Sequence, residues 1–159
     1  MDKKKADIIF FSRTGNTKKI AEVIFRELLS KADAKIIEIK TKKNYPHLVW
    51  LGLSFLPNFG VKIECEDVTA DLVFICFPKW TLNCPPITAF LRQGNLQGKT
   101  VWVVITYGGF DAQRYAAWYK KKIEKLCKEV RGIFLLRRSK IKRGELGEIK
   151  KWVATALKD

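Results

Sequence analysis

Apolar runs alternate with helix-spaced stripes along the chain. Residues 6–11 (ADIIFF) predict a buried strand. Between Thr14 and Leu29, Ile20, Ile24 and Leu28 recur at i, i+4 and i+8, the stripe of a helix with one buried face. Lys35–Ile39 predicts a second short strand. Residues 71–77 (DLVFICF) predict a third, apolar enough to be covered on both faces. Pro85 to Leu91 predicts a short helix with proline in its first turn. Residues 100–106 (TVWVVIT) are rich in β-branched side chains and predict a fourth strand. From Asp111 to Lys128, Ala112, Ala116, Tyr119, Ile123 and Leu126 follow helical spacing, with Asp111 suited to the N-cap. Gly132–Leu136 predicts a fifth strand, and Leu146, Ile149, Val153 and Ala156 a last helix. Residues 48–56 (LVWLGLSFL) occupy the place of the second helix and are expected to pack on the sheet as core. If exposed, they would suit a membrane surface, a quinone or a dimer contact.

Strands alternating with helices imply an α/β fold, a doubly wound parallel sheet with helices on both faces and right-handed crossovers. Five strands fit the order 2-1-3-4-5, and 159 residues leave no room for a sixth. The chain, residues 1–159, shows no repeat, linker or composition break, so one domain is expected.

Composition narrows the classes. The hydrophobic share of 47% is that of a globular protein. Lys and Arg total 31 against 16 Asp and Glu, a net charge of +15 that favours anionic partners. Cys65, Cys76, Cys84 and Cys127 form no C-x-x-C and have only His47 for company, so no metal site is expected. Reduced thiols and a cytoplasmic location are expected. Four apolar residues after the N-terminal lysines are too few for a signal-peptide core, and the 48–56 stretch is about half a membrane span.

The chemistry concentrates in loops at strand ends. Between the first strand and the first helix lie Ser12, Arg13, Thr14, Gly15, Asn16 and Thr17. Hydroxyls at 12, 14 and 17, a glycine permitting close backbone approach and a helix N-terminus together suit a phosphate. The loop is neither a Walker A motif nor G-x-G-x-x-G, since Gly15 is its one glycine.

Ser-x-Thr-Gly-Asn-Thr after the first strand closely resembles the FMN phosphate loop of flavodoxins. The resemblance spans roughly residues 6–157 and implies a flavodoxin-like three-layer sandwich. The third strand ends in Pro78, Lys79, Trp80, Thr81, Leu82, Asn83, Cys84, Pro85 and Pro86, similar to the loop flanking one side of the flavin ring. There Trp80 would supply a flat apolar surface. The fourth ends in Thr106, Tyr107, Gly108, Gly109, Phe110 and Asp111, resembling the second flavin loop. Its glycines would let main-chain N–H groups reach the ring oxygens, and Tyr107 would cover the other ring edge. Three departures stand out. Many flavodoxins carry a glycine in the first ring loop, whereas none lies between Gly60 and Gly94 here; Asn83 is the residue able to take the positive φ instead. Arg13 puts a charge in the phosphate loop, and the chain is basic where familiar flavodoxins are acidic.

The resemblance implies an FMN-binding redox protein, either a flavodoxin-like electron shuttle or a small FMN-dependent oxidoreductase of the quinone or protoporphyrinogen type. No residue is assigned a catalytic role beyond cofactor binding, and no NAD(P)H-binding feature is visible. Lys120 to Arg143 holds eleven basic and two acidic residues. Much of it suits a solvated helix face, but Arg137, Arg138, Lys140, Lys142 and Arg143 follow the fifth strand; with Lys40, Lys42, Lys43 and Lys79 they predict an electropositive rim around the flavin mouth, steering an acidic redox protein or an anionic small substrate. Weak membrane-surface contact is a further expectation. Nucleic-acid binding lacks any supporting motif, and a response-regulator role lacks an aspartate where Pro78 and Lys79 stand. Cys84, beside the presumed ring, is either a redox thiol or a small buried filler; the filler is preferred.

Overall fold

A computed structural model describes residues 2–158. The elements are β1 (Lys4–Phe10), α1 (Asn16–Leu28), β2 (Ala32–Glu38), β3 (Lys40–Thr41), α2 (His47–Ser54), β4 (Ile63–Glu64), β5 (Leu72–Pro78), α3 (Pro85–Gln93), β6 (Thr100–Tyr107), α4 (Ala112–Glu124), β7 (Glu129–Arg137), α5 (Arg138–Lys142) and α6 (Gly147–Ala156). Five strands form one parallel sheet in the order β2-β1-β5-β6-β7, the 2-1-3-4-5 topology.

The apolar runs form strands because both sheet faces are covered. Alternate residues point to opposite sides. Ile8, Phe74, Cys76, Trp102 and Val104 pack with Ile20, Ile24, Ile149 and Val153 of α1 and α6. Ile9, Ile75, Phe77, Val103 and Ile105 pack with Ile87, Phe90, Tyr119 and Ile123 of α3 and α4. Each such large side chain, fully buried, contributes about 1.5–3 kcal/mol. Asp7, buried within β1, is satisfied because its Oδ2 accepts the N–H groups of Thr69 (2.8 Å) and Ala70 (2.9 Å). That contact fixes the chain just before it enters β5.

The structure departs from the sequence reading in four places. Residues 48–56 do not pack on the sheet: α2 buries only Trp50 and Ser54, and the segment belongs to neither core cluster. A two-stranded antiparallel ribbon, β3 with β4, closes the base of this excursion outside the main sheet. The basic stretch after β7 forms a short helix, α5, which the sequence reading did not assign. Asp111 occupies the N-cap position of α4 in a left-handed conformation (φ 67°). Its carboxylate turns to Arg114 Nε at 2.6 Å instead of capping the helix. All four cysteines are free. Among the described residues no helix is long and apolar enough to cross a membrane.

Candidate functional site

A parallel sheet leaves a crevice outside the carboxyl ends of its strands where the chain reverses direction, here between β1 and β5. A cavity of about 280 Å³ lies there. It is lined by Arg13, Thr14, Asn16 and Thr17 after β1, by Pro78, Lys79, Trp80 and Thr81 after β5, and by Thr106 at the end of β6. His47, Trp50, Leu51 and Ser54 of α2 and Arg138 of α5 complete the wall.

One end of the cavity is the uncapped start of α1. Gly15 precedes α1 at φ +94°, and nothing lies within 4 Å of where a Cβ would stand. This conformation suits glycine, and the open space leaves the backbone accessible. Ser12 Oγ accepts the Gly15 N–H at 3.1 Å and so shapes the turn. Helix α1 has no side-chain cap and no acidic residue in its first turn. Its first N–H groups therefore have no side-chain acceptor, and the positive end of the helix dipole faces the loop. Thr17 Oγ1 and Thr106 Oγ1 share a buried hydrogen bond of 2.9 Å, pinning the start of α1 to the end of β6. The Arg13 guanidinium donates to His47 Nδ1. A guanidinium only donates, so Nδ1 is the acceptor in this contact.

The other end is aromatic. Phe11, Trp80, Trp50 and Tyr45 form a chain of contacts with centroid separations of 5.6, 5.5 and 5.2 Å. Trp80 is half-buried and lines the cavity, while Trp50 closes over it from α2. Ser54 holds this cover in place. Its carbonyl accepts the N–H groups of Leu82 (3.1 Å) and Asn83 (3.0 Å), and its hydroxyl meets Thr81 Oγ1 at 2.7 Å. Arg138 bridges the two loops expected to hold a ring: its Nη2 donates to the Lys79 carbonyl at 3.4 Å, and its guanidinium lies against Gly108.

The predicted site residues thus divide. Arg13, Thr14, Asn16, Thr17, Pro78, Lys79, Trp80, Thr81 and Thr106 come together around one cavity, with Ser12 and Gly15 shaping the loop backbone. Leu82 and Asp111 instead line a smaller cavity of about 150 Å³, together with Pro57, Lys79, Thr81, Arg114, Tyr115 and Trp118. Tyr107 lies outside the main cavity, and the Arg137 guanidinium sits 5.4 Å from its ring centroid. Gly108 and Gly109 are exposed at the edge of the mouth.

Asn83 is fully buried and takes no positive φ. Its Nδ2 donates to the carbonyls of Leu56 (3.1 Å) and Phe59 (2.7 Å), while its Oδ1 accepts from Tyr119 (3.1 Å) and Thr88. It therefore ties the 80s loop to the chain following α2. Cys84 is buried against the same network, and desolvation pushes its thiol far up, so it stays protonated. That is the behaviour of a filler, not of a reactive thiolate. Trp50, Leu51 and Ser54 were missed because residues 48–56 read as core, and His47, just before them, was given no role, although an aromatic followed four residues later by a serine was visible. Among the described residues no cluster of His, Cys, Asp or Glu could hold a metal ion.

No protein-family model matches the chain. An uncharacterized protein from Archaeoglobus fulgidus is 41% identical over 155 residues, covering 92% of this chain and 97% of its own length. Among solved structures, a flavoprotein from Lactobacillus acidophilus NCFM in complex with FMN matches with a TM-score of 0.70 and 23% identity. The match covers 88% of this chain and 97% of that one. A flavodoxin from the domain Archaea matches with a TM-score of 0.54 and 19% identity, covering 94% and 99%. The strand order, the crevice at the chain reversal and these likenesses agree: the chain has the flavodoxin-like fold, and it belongs to one family with the Archaeoglobus protein.

Proposed function

We propose that the chain is an FMN-binding redox protein. The observation that carries this reading is one cavity at the β1/β5 reversal, running from an uncapped helix N-terminus to an aromatic wall. The donor set fits the cofactor. A phosphate monoester matches the hydroxyls of Ser12, Thr14 and Thr17, the Asn16 amide and the free N–H groups of α1. A flat ring system matches the half-buried face of Trp80. Bound FMN would supply one- and two-electron chemistry. The chain's own part is to bind, to orient and to set the local field.

Arg13, Lys79 and Arg138 supply positive charge at the cavity wall without a carboxylate beside them there. They favour an anionic reduced flavin and an acidic redox protein or anionic small substrate at the mouth. A flavodoxin-like electron shuttle is the leading role. The adjoining cavity between Lys79, Leu82, Arg114 and Trp118 favours a second version, a small FMN-dependent oxidoreductase with a substrate of its own.

The test is a visible absorption spectrum of the protein after FMN is added and free flavin is removed by gel filtration. Flavin bands in the protein peak are expected, with riboflavin retained less because it lacks the phosphate. Absence of retained FMN at both low and moderate salt would overturn the proposal.

A further inference from the structure

Residues 44–61 contain no Asp, Glu, Lys or Arg, in a chain of which 30% is charged. This is the segment that leaves the sheet to form α2 and the turn after it. Only Trp50 and Ser54 of α2 point inward. Leu48 is 78% exposed and Phe55 55%, and Val49, Leu51, Leu56 and Phe59 are exposed as well. These are six of the ten exposed large apolar side chains among the described residues. A seventh, Phe110, is 88% exposed in the β6–α4 loop at the same edge of the sheet.

The patch has a cationic border. Lys40, Lys42 and Lys43 precede it, Lys62 follows it, and Arg13 contacts His47 at the start of α2. None of these five forms an ion pair with a carboxylate among the described residues.

We propose that this face docks on an anionic lipid bilayer surface, with the side chains of α2 and its following turn entering the acyl boundary and the bordering lysines meeting the headgroups. Exposed leucine and phenylalanine flanked by lysine is the composition of an interfacial segment. A second copy of the chain is disfavoured, because two molecules each carrying +15 repel. A protein partner fits less well. The anchors that dominate protein interfaces are Trp, Tyr and Arg, whereas the segment's one tryptophan is buried against Trp80. Docking does not require bound flavin, so it stands or falls apart from the cofactor reading. It would bring the cavity, whose wall includes Leu51, close to the membrane surface while leaving the side bordered by Lys79 and Arg138 open.

The test is sedimentation with vesicles of equal parts phosphatidylglycerol and phosphatidylcholine, with pure phosphatidylcholine as the neutral control. The variants are Leu48→Ser/Phe55→Ser and Lys42→Gln/Lys43→Gln. All four positions are exposed, so circular dichroism and melting should match the parent protein. Binding to the anionic vesicles is expected, weakening with salt and falling at least tenfold in each double variant. Neutral vesicles should bind far less. No sedimentation with anionic vesicles at low salt would overturn the proposal. So would binding that Leu48→Ser/Phe55→Ser leaves unchanged, since the net charge alone would then suffice. A dimer in light scattering that this same variant abolishes would assign the face to a second copy and overturn it too.

Discussion

Replacing Asn83 with alanine tests whether the cover of the cavity is pinned by one buried amide. The side chain makes four hydrogen bonds to three parts of the chain: two to the turn after α2, one to α3 and one to α4. The losses are unequal. The carbonyls of Leu56 and Phe59 belong to exposed residues and can be rehydrated, so each costs about 0.5–1 kcal/mol. Tyr119 and Thr88 are buried, but the Tyr119 hydroxyl still accepts the Cys84 N–H at 2.8 Å and can redirect its proton to the Cys84 carbonyl, 3.5 Å away. Their combined cost is about 1–2 kcal/mol. The total is therefore about 3 kcal/mol. For a chain of this length the unfolding entropy is roughly 0.33 kcal/mol/K, so Tm should fall by about 9 °C. Thr88→Val removes one bond of the four and should lower Tm by about 3 °C. Thermal melts followed by circular dichroism measure both. FMN retention should fall further in Asn83→Ala than in Thr88→Val, because only the former frees the chain behind α2. A loss below about 3 °C in Asn83→Ala, or equal losses in the two variants, would refute the idea of a pin.

Other consequences are as direct. Thr17→Val strands the buried Thr106 hydroxyl and should cost about 1–2 kcal/mol, read as a lower denaturation midpoint together with weaker FMN binding. Gly15→Ala meets no neighbour, so its cost is the positive φ alone, about 1 kcal/mol; FMN affinity should fall while riboflavin affinity holds. Arg138→Gln should lower the reduction potential of the FMN-loaded protein by about 30 mV, equivalent to roughly 1.4 kcal/mol over two electrons, in a potentiometric titration. Burial, aided by Glu66 and Asp67, raises the Cys65 thiol from 9.0 to about 11. The unfolded thiol ionises first, so this contribution to stability is whole below pH 9 and lost as pH rises toward 11. Alkylation of Cys65 in the folded protein should accelerate over the same span.

The sheet was legible because its central strands are covered on both faces. The runs of β5 and β6 therefore stay apolar from end to end, and the stripes of α1 and α4 repeat the helical period. The 12–17 loop was legible as the turn entering α1, with Gly15 at the positive φ and Thr14, Asn16 and Thr17 on the cavity wall. What escaped was set by long-range contacts. Leucine and tryptophan in α2 carry no local mark saying whether the sheet or the mouth of a cavity covers them. Asn83 read as a loop residue because only the fold brings it to Tyr119 and Phe59. Nor does anything in the sequence announce that Arg137 lies over the Tyr107 ring.

The β3–β4 ribbon has a consequence for how such a protein can diversify. Two residue pairs and the Lys42 N–H to Lys62 carbonyl bond of 3.0 Å clamp both ends of the excursion that carries α2. With its ends fixed, the excursion can change length at little entropic cost, about 0.6 kcal/mol for each doubling. The five-stranded sheet would not register the change, because neither core cluster draws on α2. Descendants of one ancestor could therefore exchange this cassette for another of different length and chemistry. Each would present a different face beside the cavity on an unchanged sheet.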